Sequence, residues 1–335
     1  MKRKMRTRFA FCLIALSLLG GSGRTAVAAN KGDPSISEFF RVVLNLARRP
    51  PRPAQPLYVI GAGLPRTGTA SFVVALEKLG FHTYHMKDGA VETPGHLDLW
   101  RTYYARTNGG SSEATVSIDD ILSSMSAEGF NATSDSPACF SYKDQMQRYP
   151  NAKVVLTVRG DGDGEAWAES FRGAILEGMD LMRDIPFKWT PMFQQIVEMS
   201  RNAFVHLETQ LDPAGFPVME ELPMAYERWN AKVEEAVPRN KLLIHAPQDG
   251  WKPLCDFLSP IYPDVEARCV TILESGEPYP HVNDKFKMQS LYTFLRGITL
   301  FVKISPLWIP LLLLWLGRWN RRRRLNIECQ GKKNA

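Results

Sequence analysis

The chain has 335 residues, 44% of them hydrophobic, and a formal net charge of +6 at neutral pH. The positive charge sits at the two ends: residues 1–8 contain five Lys or Arg residues and no acid, and residues 318–335 contain seven against one Glu. Taking +5 and +6 away from +6 leaves −5 on the body between them. The body also lacks a basic face interleaved with aromatic residues, so the composition argues against a nucleic-acid-binding protein.

The N-terminal residues predict a secretory signal. Residues 1–8 form a charged n-region, Phe9–Gly20 forms an apolar h-region, and Ala26–Ala28 offers a cleavage site of small residues. We assign residues 1–29 to a signal peptide or, if it is not cleaved, to a signal anchor. Residues 30–56 are rich in Pro and Arg and are interpreted as a linker in front of the main domain.

The segment Leu57–Ala75 combines a short apolar strand, a glycine-rich turn and the start of a helix. Such a turn directs the unpaired N–H groups of the first helical turn, and the positive end of the helix dipole, toward one point. This arrangement binds anions, usually a phosphate. Its residues permit tight backbone and supply one charge and two hydroxyls: Gly61, Gly63, Arg66, Thr67, Gly68 and Thr69.

Two common nucleotide-binding motifs do not fit this turn. A triphosphate-binding loop needs Lys and then Ser or Thr after its last glycine, whereas Gly68 is followed by Thr69 and Ala70. The dinucleotide motif G-x-G-x-x-G fails because Arg66 stands at the third glycine position. The next predicted strand, Phe81–Met86, does not end in the acid that would hold a ribose hydroxyl. The turn is therefore predicted to bind a single phosphate.

The residues Pro65–Ser71, PRTGTAS, resemble the 5′-phosphosulfate loop of sulfotransferases. In particular they resemble the branch of P-loop sulfotransferase-like proteins whose loop reads G-x-G-x-x-R-T-G-T-x-S. The likeness continues in order along the chain, from Leu57 to Phe286, in five further segments: Tyr84–Met86, Asp135–Ala138, Ala152–Arg159, Asp249–Leu258 and Pro280–Asp284. Several motifs in order are far more specific than one glycine-rich turn.

The resemblance implies a donor, 3′-phosphoadenosine 5′-phosphosulfate, and transfer of its sulfuryl group to an alcohol, phenol or amine without a metal ion. Such a donor has no β/γ-phosphate pair, which suits a loop without the triphosphate-binding Lys. By the resemblance, Arg66 neutralises the 5′-phosphate and the bridging oxygen as the bond to sulfur breaks. The other loop residues implied around the donor phosphate are Thr67, Gly68, Thr69, Ala70 and Ser71.

The resemblance places the donor's 3′-phosphate on Arg159, at the end of a predicted strand, and on a Ser that follows it. That Ser is Ser170, eleven residues on, which is further than in the family pattern. The intervening Gly160–Gly164, GDGDG, is interpreted as a short insertion with two acids. Two carboxylates would repel a phosphate unless they turn to solvent. Alternatively, Arg159 only pairs with one of these acids at the strand end.

His85 and Asp135 are the candidates for the base that takes the acceptor's proton. Each follows a predicted strand, and the carboxyl edge of a parallel sheet holds the ligand crevice. A His base suits neutral pH, whereas Asp135 has an alternative role as an N-cap or turn residue. The resemblance adds a late loop near the nucleotide with His281, Asn283 and Asp284. No set of His, Cys and acids has zinc or calcium-loop spacing, so we expect no metal site.

A second apolar stretch, Ile298–Gly317, contains Lys303 and two prolines and is followed by a basic tail, residues 318–335. Its length and Arg-rich flank predict a single transmembrane helix with a cytosolic tail. Lys303 can then snorkel to the interface at the other end. An interfacial helix is the alternative, because one Lys and two prolines weaken insertion. Together with the signal, this topology places the domain in the lumen of the ER or Golgi.

Strands alternating with helical patterns predict an α/β fold of the P-loop type, with a parallel sheet covered by helices on both faces. We expect the domain at residues 57–287, with Trp167–Val237 as a helical insert that forms a lid and acceptor pocket. One pair of its three cysteines can bridge, with Cys255 and Cys269 as the candidate pair. Five strands are predicted: Leu57–Gly63, Phe81–Met86, Gly129–Ser134, Ala152–Arg159 and Lys241–His245.

The favoured hypothesis is a lumenal sulfotransferase with an unidentified hydroxyl or amine acceptor. A nucleotide kinase or hydrolase is the alternative within the enzymes, and the missing triphosphate-binding Lys counts against it. An inactive lumenal adaptor that keeps the fold is the alternative outside the enzymes, and the GDGDG segment favours it. The sequence leaves the acceptor and the oligomeric state open.

Overall fold

The computed structural model describes residues 52–109, 116–160, 164–261, 264–282 and 285–333. Several predicted features lie outside the described residues: the signal at residues 1–29, most of the linker, the two acids of the GDGDG segment, and Asn283 with Asp284. The alternative pairing of Arg159 with one of those acids therefore also lies outside the described residues. The predicted domain, lid and C-terminal helix are otherwise within the described ranges.

Five parallel strands form one sheet, as predicted. They are β1 (Val59–Gly61), β2 (Thr83–Tyr84), β3 (Ala132–Thr133), β4 (Lys153–Thr157) and β5 (Leu242–His245). Their order across the sheet is β2-β3-β1-β4-β5, so β1 lies at the centre. The register pairs Val59 with Ala132 on one side and with Lys153 on the other. The strands are shorter than predicted because their flanking residues leave the ladder, and those at the carboxyl ends form the loops of the candidate site.

The α-helices of the described residues follow the strands in the alternation that the sequence predicts. Helices α5 to α8 make up the predicted helical insert between β4 and β5. The bounds are α1 (Thr69–Lys78), α2 (His96–Thr107), α3 (Ile118–Ala127), α4 (Tyr142–Arg148), α5 (Gly164–Phe171), α6 (Glu177–Arg183), α7 (Pro191–Phe204), α8 (Leu222–Ala236), α9 (Trp251–Leu258), α10 (Val265–Ser275) and α11 (Lys285–Lys333).

Each face of the sheet has its own hydrophobic core, because successive residues of a strand point to opposite faces. Val59 and Val155 belong to a cluster with α1, α9 and α10. Ile60 and Val154 belong to a larger cluster with α2, α3, α5, α7 and α8. Covering both faces is what lets a parallel sheet bury such continuous apolar strands.

A disulfide joins the two helices of the smaller cluster. Cys255 in α9 is bonded to Cys269 in α10, with their Cα atoms 5.6 Å apart. The candidate pair is therefore confirmed. Among the described cysteines, Cys139 is a buried free thiol.

Helix α11 begins on the domain and then leaves it. Its early residues Tyr292 and Leu295 are buried in the larger cluster, and Arg296 pairs with Glu177 at 2.7 Å. The side chains further along are exposed and nonpolar: Ile304, Leu307, Ile309, Leu311, Leu312, Leu313, Leu314, Trp315, Leu316 and Trp319. By length and composition, residues Met288–Arg322 form a candidate membrane span.

Lys303 marks the point where this helix leaves the domain. Its ammonium lies 2.6 Å from Asp184, which follows α6, and this contact lowers the pKa of the Asp184 carboxyl. The exposed nonpolar surface starts one turn earlier, at Leu300 and Phe301, and continues beyond Lys303. Lys303 was expected to extend its ammonium toward the membrane interface. In the structure the ammonium pairs with Asp184 on the domain. The two prolines of the stretch, Pro306 and Pro310, lie inside the continuous helix.

A buried polar network connects β2 to α2 and α3. Trp100 Nε1 donates to the Tyr84 hydroxyl at 2.9 Å, and this hydroxyl lies 3.1 Å from His96 Nδ1. His96 Nε2 lies 2.9 Å from Ser124 Oγ. Every atom is satisfied if Tyr84 donates to Nδ1 and Nε2–H donates to Ser124, which requires a neutral imidazole. Burial lowers the pKa of His96 to about 4, in agreement with that arrangement.

We expect His96 to make the folded protein less stable in acid. Because its pKa is lower in the folded chain than in the unfolded one, its contribution is present above pH 6.5 and is lost as the pH falls toward 4. The contribution at pH 7 is on the order of 3 kcal/mol. Urea unfolding of the full chain in detergent at several pH values measures this effect. Between pH 7 and pH 4, the free energy of unfolding should fall less in His96→Gln than in the wild type.

An exposed histidine supplies the control for this experiment. His281→Gln removes the same kind of side chain from the surface and should follow the wild-type pH dependence. Equal pH dependence in His96→Gln and the wild type would show that the buried network does not require a neutral imidazole.

Candidate active site

The parallel sheet brings the predicted site residues to one edge. The loop to α1 follows β1, His85 follows β2, Asp135 lies two residues beyond β3, and Arg159 lies two residues beyond β4. Because β1 pairs with both β3 and β4, its loop lies between Asp135 and Arg159. This carboxyl edge is where open α/β sheets bind ligands.

The loop between β1 and α1 is held tightly against β4. A Cβ added to Gly63 would lie 1.9 Å from Thr157 Oγ1 and 2.7 Å from the Thr157 backbone nitrogen, so only glycine fits. Gly68, with φ 88°, is the N-cap of α1 and supplies no side-chain cap. The first N–H groups of α1 therefore suit an anion. Ala70, in this first turn, contributes no polar side-chain atom, and Arg66 adopts a left-handed φ of 74°.

Two hydroxyls of the loop bind the protein itself. Thr67 Oγ1 donates to the Leu64 carbonyl at 2.7 Å and lies 2.7 Å from Thr157 Oγ1. Ser71 Oγ accepts a hydrogen bond from the Val282 N–H at 2.9 Å. Both side chains are buried. These contacts fix the loop, and the phosphate contacts expected of Thr67 and Ser71 stay predictions.

Two tryptophans from the helical insert hold the loop from the other side. Trp167 Nε1 donates to the Pro65 carbonyl and Trp229 Nε1 donates to the Ala62 carbonyl, both at 2.8 Å. The sequence placed Trp229 in a lid and acceptor pocket but did not assign either residue to the loop. The sequence signal that could have indicated a shared role is the spacing of Tyr226 and Trp229, since residues three apart share one helix face.

Tyr226 and Ser170 link the insert to the two arginines. Tyr226 stacks on Trp167 with ring centroids 5.1 Å apart, and its hydroxyl accepts a hydrogen bond from the Arg159 N–H at 3.0 Å. Arg66 Nε donates to Ser170 Oγ at 3.2 Å. Ser170, expected to serve the same phosphate as Arg159, thus contacts Arg66 in the structure. The expected contact of Ser170 with the 3′-phosphate stays a prediction.

His85 and Asp135 form a close pair next to the N terminus of α1. His85 Nε2 lies 2.8 Å from Asp135 Oδ2, and the same oxygen accepts a hydrogen bond from Thr69 Oγ1 at 3.2 Å. The Ser136 N–H donates to Asp135 Oδ1 at 2.6 Å. Burial raises the pKa of Asp135, but the nearby His85 and these hydrogen bonds outweigh burial and hold the pKa below its usual range.

The alternative role for Asp135, as a turn residue, coexists with this pairing. Its φ is 67°, and its carbonyl accepts a hydrogen bond from the Cys139 N–H at 2.9 Å. The turn therefore aims the carboxylate at His85 and Thr69. In the described ranges, no group of three or more His, Cys, Asp or Glu side chains is placed to hold a metal ion.

A group of buried polar atoms without hydrogen-bond partners lies at the end of β5. It consists of both ring nitrogens of His245, the indole N–H of Trp251 and the hydroxyl of Tyr279. The Tyr279 ring lies 5.2 Å from the His245 ring and 5.1 Å from the Trp251 ring, measured between centroids. Burial lowers the pKa of His245. No sequence motif indicates this group, although His245 ends a predicted strand at the ligand edge.

The comparisons with known proteins agree with this site. Residues 58–288 match the family described as "Sulfotransferase domain". The chain is also 29% identical over 220 residues to "Ava biosynthesis cluster protein M" from Aspergillus versicolor, which covers 62% of this chain and 78% of that protein. The loop, the His85–Asp135 pair and the Trp251 group all lie within the matched range. With well over half of its length matched, the chain belongs to the sulfotransferase-domain family.

Proposed function

We propose that this protein is a sulfotransferase that moves a sulfuryl group from 3′-phosphoadenosine 5′-phosphosulfate to a hydroxyl or amine acceptor. The observation that carries the proposal is the Thr69–Asp135–His85 contact at the start of α1. It joins a helix N terminus suited to a phosphate to a carboxylate–imidazole pair suited to proton transfer. Arg66 lies in the same loop, three residues before Thr69.

The residues present fit this donor. The first N–H groups of α1 and Arg66 would hold the 5′-phosphate, and Ser170 Oγ, 3.2 Å from Arg66 Nε, would orient the guanidinium. Arg159, after β4, would hold the 3′-phosphate. The polar atoms of His245, Trp251 and Tyr279 that lack hydrogen-bond partners could bind the polar edge of a purine, and the rings of these residues could stack on it. Pro247, two residues after His245, lies next to the loop, because its Cγ would be 2.6 Å from a Cβ added to Gly68.

The proposed chemistry follows from these positions. The donor supplies an activated sulfur whose bond to a phosphate oxygen is the one that breaks. The acceptor oxygen forms the new O–S bond, the bridging oxygen departs with the 3′,5′-bisphosphate, and the acceptor's proton passes to the imidazole of His85. Asp135 Oδ2, 2.8 Å from Nε2, stabilises the imidazolium. Arg66 and the helix N terminus stabilise the charge that develops on the departing phosphate.

The location and the substrate class extend the proposal. We place the domain, residues 57–287, in the secretory lumen, with α11 as its membrane anchor. The candidate span and the charged, apolar N terminus support this placement. The name of the fungal relative, a biosynthesis cluster protein, favours a small-molecule acceptor. A nucleotide kinase or hydrolase is less well supported, because Thr69 and Ala70 stand where a triphosphate loop needs Lys and Ser or Thr.

The donor site is tested by calorimetry on the full chain in detergent. We expect 3′,5′-adenosine bisphosphate to bind at least about tenfold more tightly than ATP or NAD, since the loop suits a lone phosphate. Arg66→Ala should weaken bisphosphate binding by at least about tenfold, or about 1.4 kcal/mol, because a cation that meets the phosphate is lost. The matched control is Arg148→Ala, an exposed arginine on α4, which should leave the affinity unchanged.

Each remaining outcome of this titration favours a different function for the protein. A wild-type chain that binds none of the three nucleotides would contradict the transferase proposal and favour the adaptor. Preferential binding of ATP, followed by its hydrolysis, would favour the kinase or hydrolase instead.

The role of His85 is tested by chemical rescue. His85→Ala should keep the bisphosphate affinity within about twofold but lower the transfer rate by about 10² to 10⁴, the usual contribution of a general base. Transfer is measured with labelled donor and three small acceptors: a phenol, a primary alcohol and an amine. Added imidazole should restore part of the rate in His85→Ala.

The variant Asp135→Asn tests the contribution of the second member of the pair to the transfer rate. It should lower the rate while leaving imidazole without effect, because the imidazole ring of His85 is still present. Unchanged transfer in both variants would show that the pair is structural.

A further inference from the structure

An apolar cavity of about 140 Å³ lies between the helical insert and the elements packed against it. Its walls come from α6, α7, the first turns of α11, and the turn that follows β2. The side chains that define it are Val91, Met182, Met192, Ile196, Leu291 and Tyr292. Apart from the phenol of Tyr292, these side chains are nonpolar.

Two lining residues are linked along the chain to residues of the candidate active site. Val91 ends the turn of residues 86–91 that starts directly after His85. Tyr292 donates its hydroxyl hydrogen bond to the Ala174 carbonyl, four residues after Ser170, which contacts Arg66. Two of the lining residues therefore connect the cavity to the proposed base and to the proposed phosphate site.

The volume and lining limit what the cavity can hold. Apolar cavities of about 150 Å³ in proteins stay dry and bind benzene. A cavity of about 140 Å³ thus accommodates one six-membered ring or a short branched chain. A sugar would bury several hydroxyls without partners, at a cost of about 1–3 kcal/mol for each. A charged group would be excluded more strongly.

The cavity also lies near the start of the candidate membrane span. Leu295, the next lining residue after Tyr292 along α11, precedes Lys303 by eight residues, or about 12 Å of helix. The exposed nonpolar side chains begin at Leu300, before Lys303, and continue beyond it. An acceptor that partitions into the membrane is therefore concentrated close to the cavity.

We propose, on the basis of the sulfotransferase function proposed above, that this cavity binds the nonpolar body of the acceptor, and that the acceptor is an uncharged hydrophobic phenol or alcohol. The nonpolar body lies among the side chains of α6, α7 and α11. The hydroxyl extends toward the His85–Asp135 pair. The helical insert thus selects the acceptor, while the loop after β1 binds the donor.

The test measures binding rather than turnover. The full chain in detergent, saturated with 3′,5′-adenosine bisphosphate, is titrated with the water-soluble probe 4-fluorophenol and followed by fluorine NMR. We expect 4-ethylphenol to displace the probe and 4-hydroxybenzoate, which carries a charge at the same position, not to displace it. Empty detergent micelles give the background partitioning of the probe.

Two variants fill the cavity and one serves as a matched control. Leu291→Trp and Ile196→Trp should each weaken 4-fluorophenol binding at least tenfold while the bisphosphate affinity stays within twofold. Leu273→Trp places the same side chain on α10, where the leucine is exposed, and should change neither affinity. If the filled variants do not fold, the competition between 4-ethylphenol and 4-hydroxybenzoate on the wild-type chain still decides.

The outcomes separate this inference from the proposed function. Bisphosphate binding without 4-fluorophenol binding, equal displacement by both competitors, or full probe affinity in folded filled variants would overturn the acceptor proposal and leave the donor site intact. Absence of bisphosphate binding in the wild-type chain would overturn the transferase function, and with it the acceptor role, even if the probe bound.

Discussion

The close approach of Gly63 to Thr157 fixes the geometry on which the site depends. The parallel pairing of β1 with β4 brings the loop so near to the end of β4 that a Cβ at Gly63 would lie 1.9 Å from Thr157 Oγ1. The chain must then turn sharply, and Arg66 takes a left-handed φ of 74°. Helix α1 starts three residues later with its N terminus at the sheet edge. The geometry of the candidate anion site is thus a consequence of backbone packing before any side chain is considered.

Strained backbone at this edge is stabilised by the surrounding structure. Three non-glycine residues of the described chain have positive φ, and two of them are Arg66 and Asp135. Such conformations cost of order 1–3 kcal/mol each and persist where other contacts fix them. The Trp167 indole fixes the loop beside Arg66, and the Ser136 N–H fixes the Asp135 carboxylate. Strain at Arg66 and Asp135, to both of which the proposed function gives a role, agrees with a preorganised site.

The sequence predicted the sheet, the loop, and the positions of His85 and Asp135 after their strands, because each depends on local pattern. Apolar runs indicate strands, glycines indicate the turn, and the carboxyl ends of parallel strands meet at one edge. The contacts Arg66–Ser170 and Trp229–Ala62 could not be predicted, since they join residues 104 and 167 positions apart. Spacing shows which residues share a helix face but not which distant backbone that face meets. For the same reason, the sequence could not predict that Lys303 pairs with Asp184.

Helix α11 is both a wall of the domain and the candidate membrane anchor, and the energetics show which contacts hold it. Each exposed ion pair, from Arg296 and from Lys303, contributes about 0–1 kcal/mol. Burying Tyr292 and Leu295, both at most 5% exposed, contributes about 1.5–3 kcal/mol for a side chain of this kind. Hydrophobic burial therefore holds the helix on the domain. The two ion pairs favour one orientation of the helix about its own axis. Because the same helix continues into the exposed nonpolar surface, the cavity keeps a fixed distance from that surface.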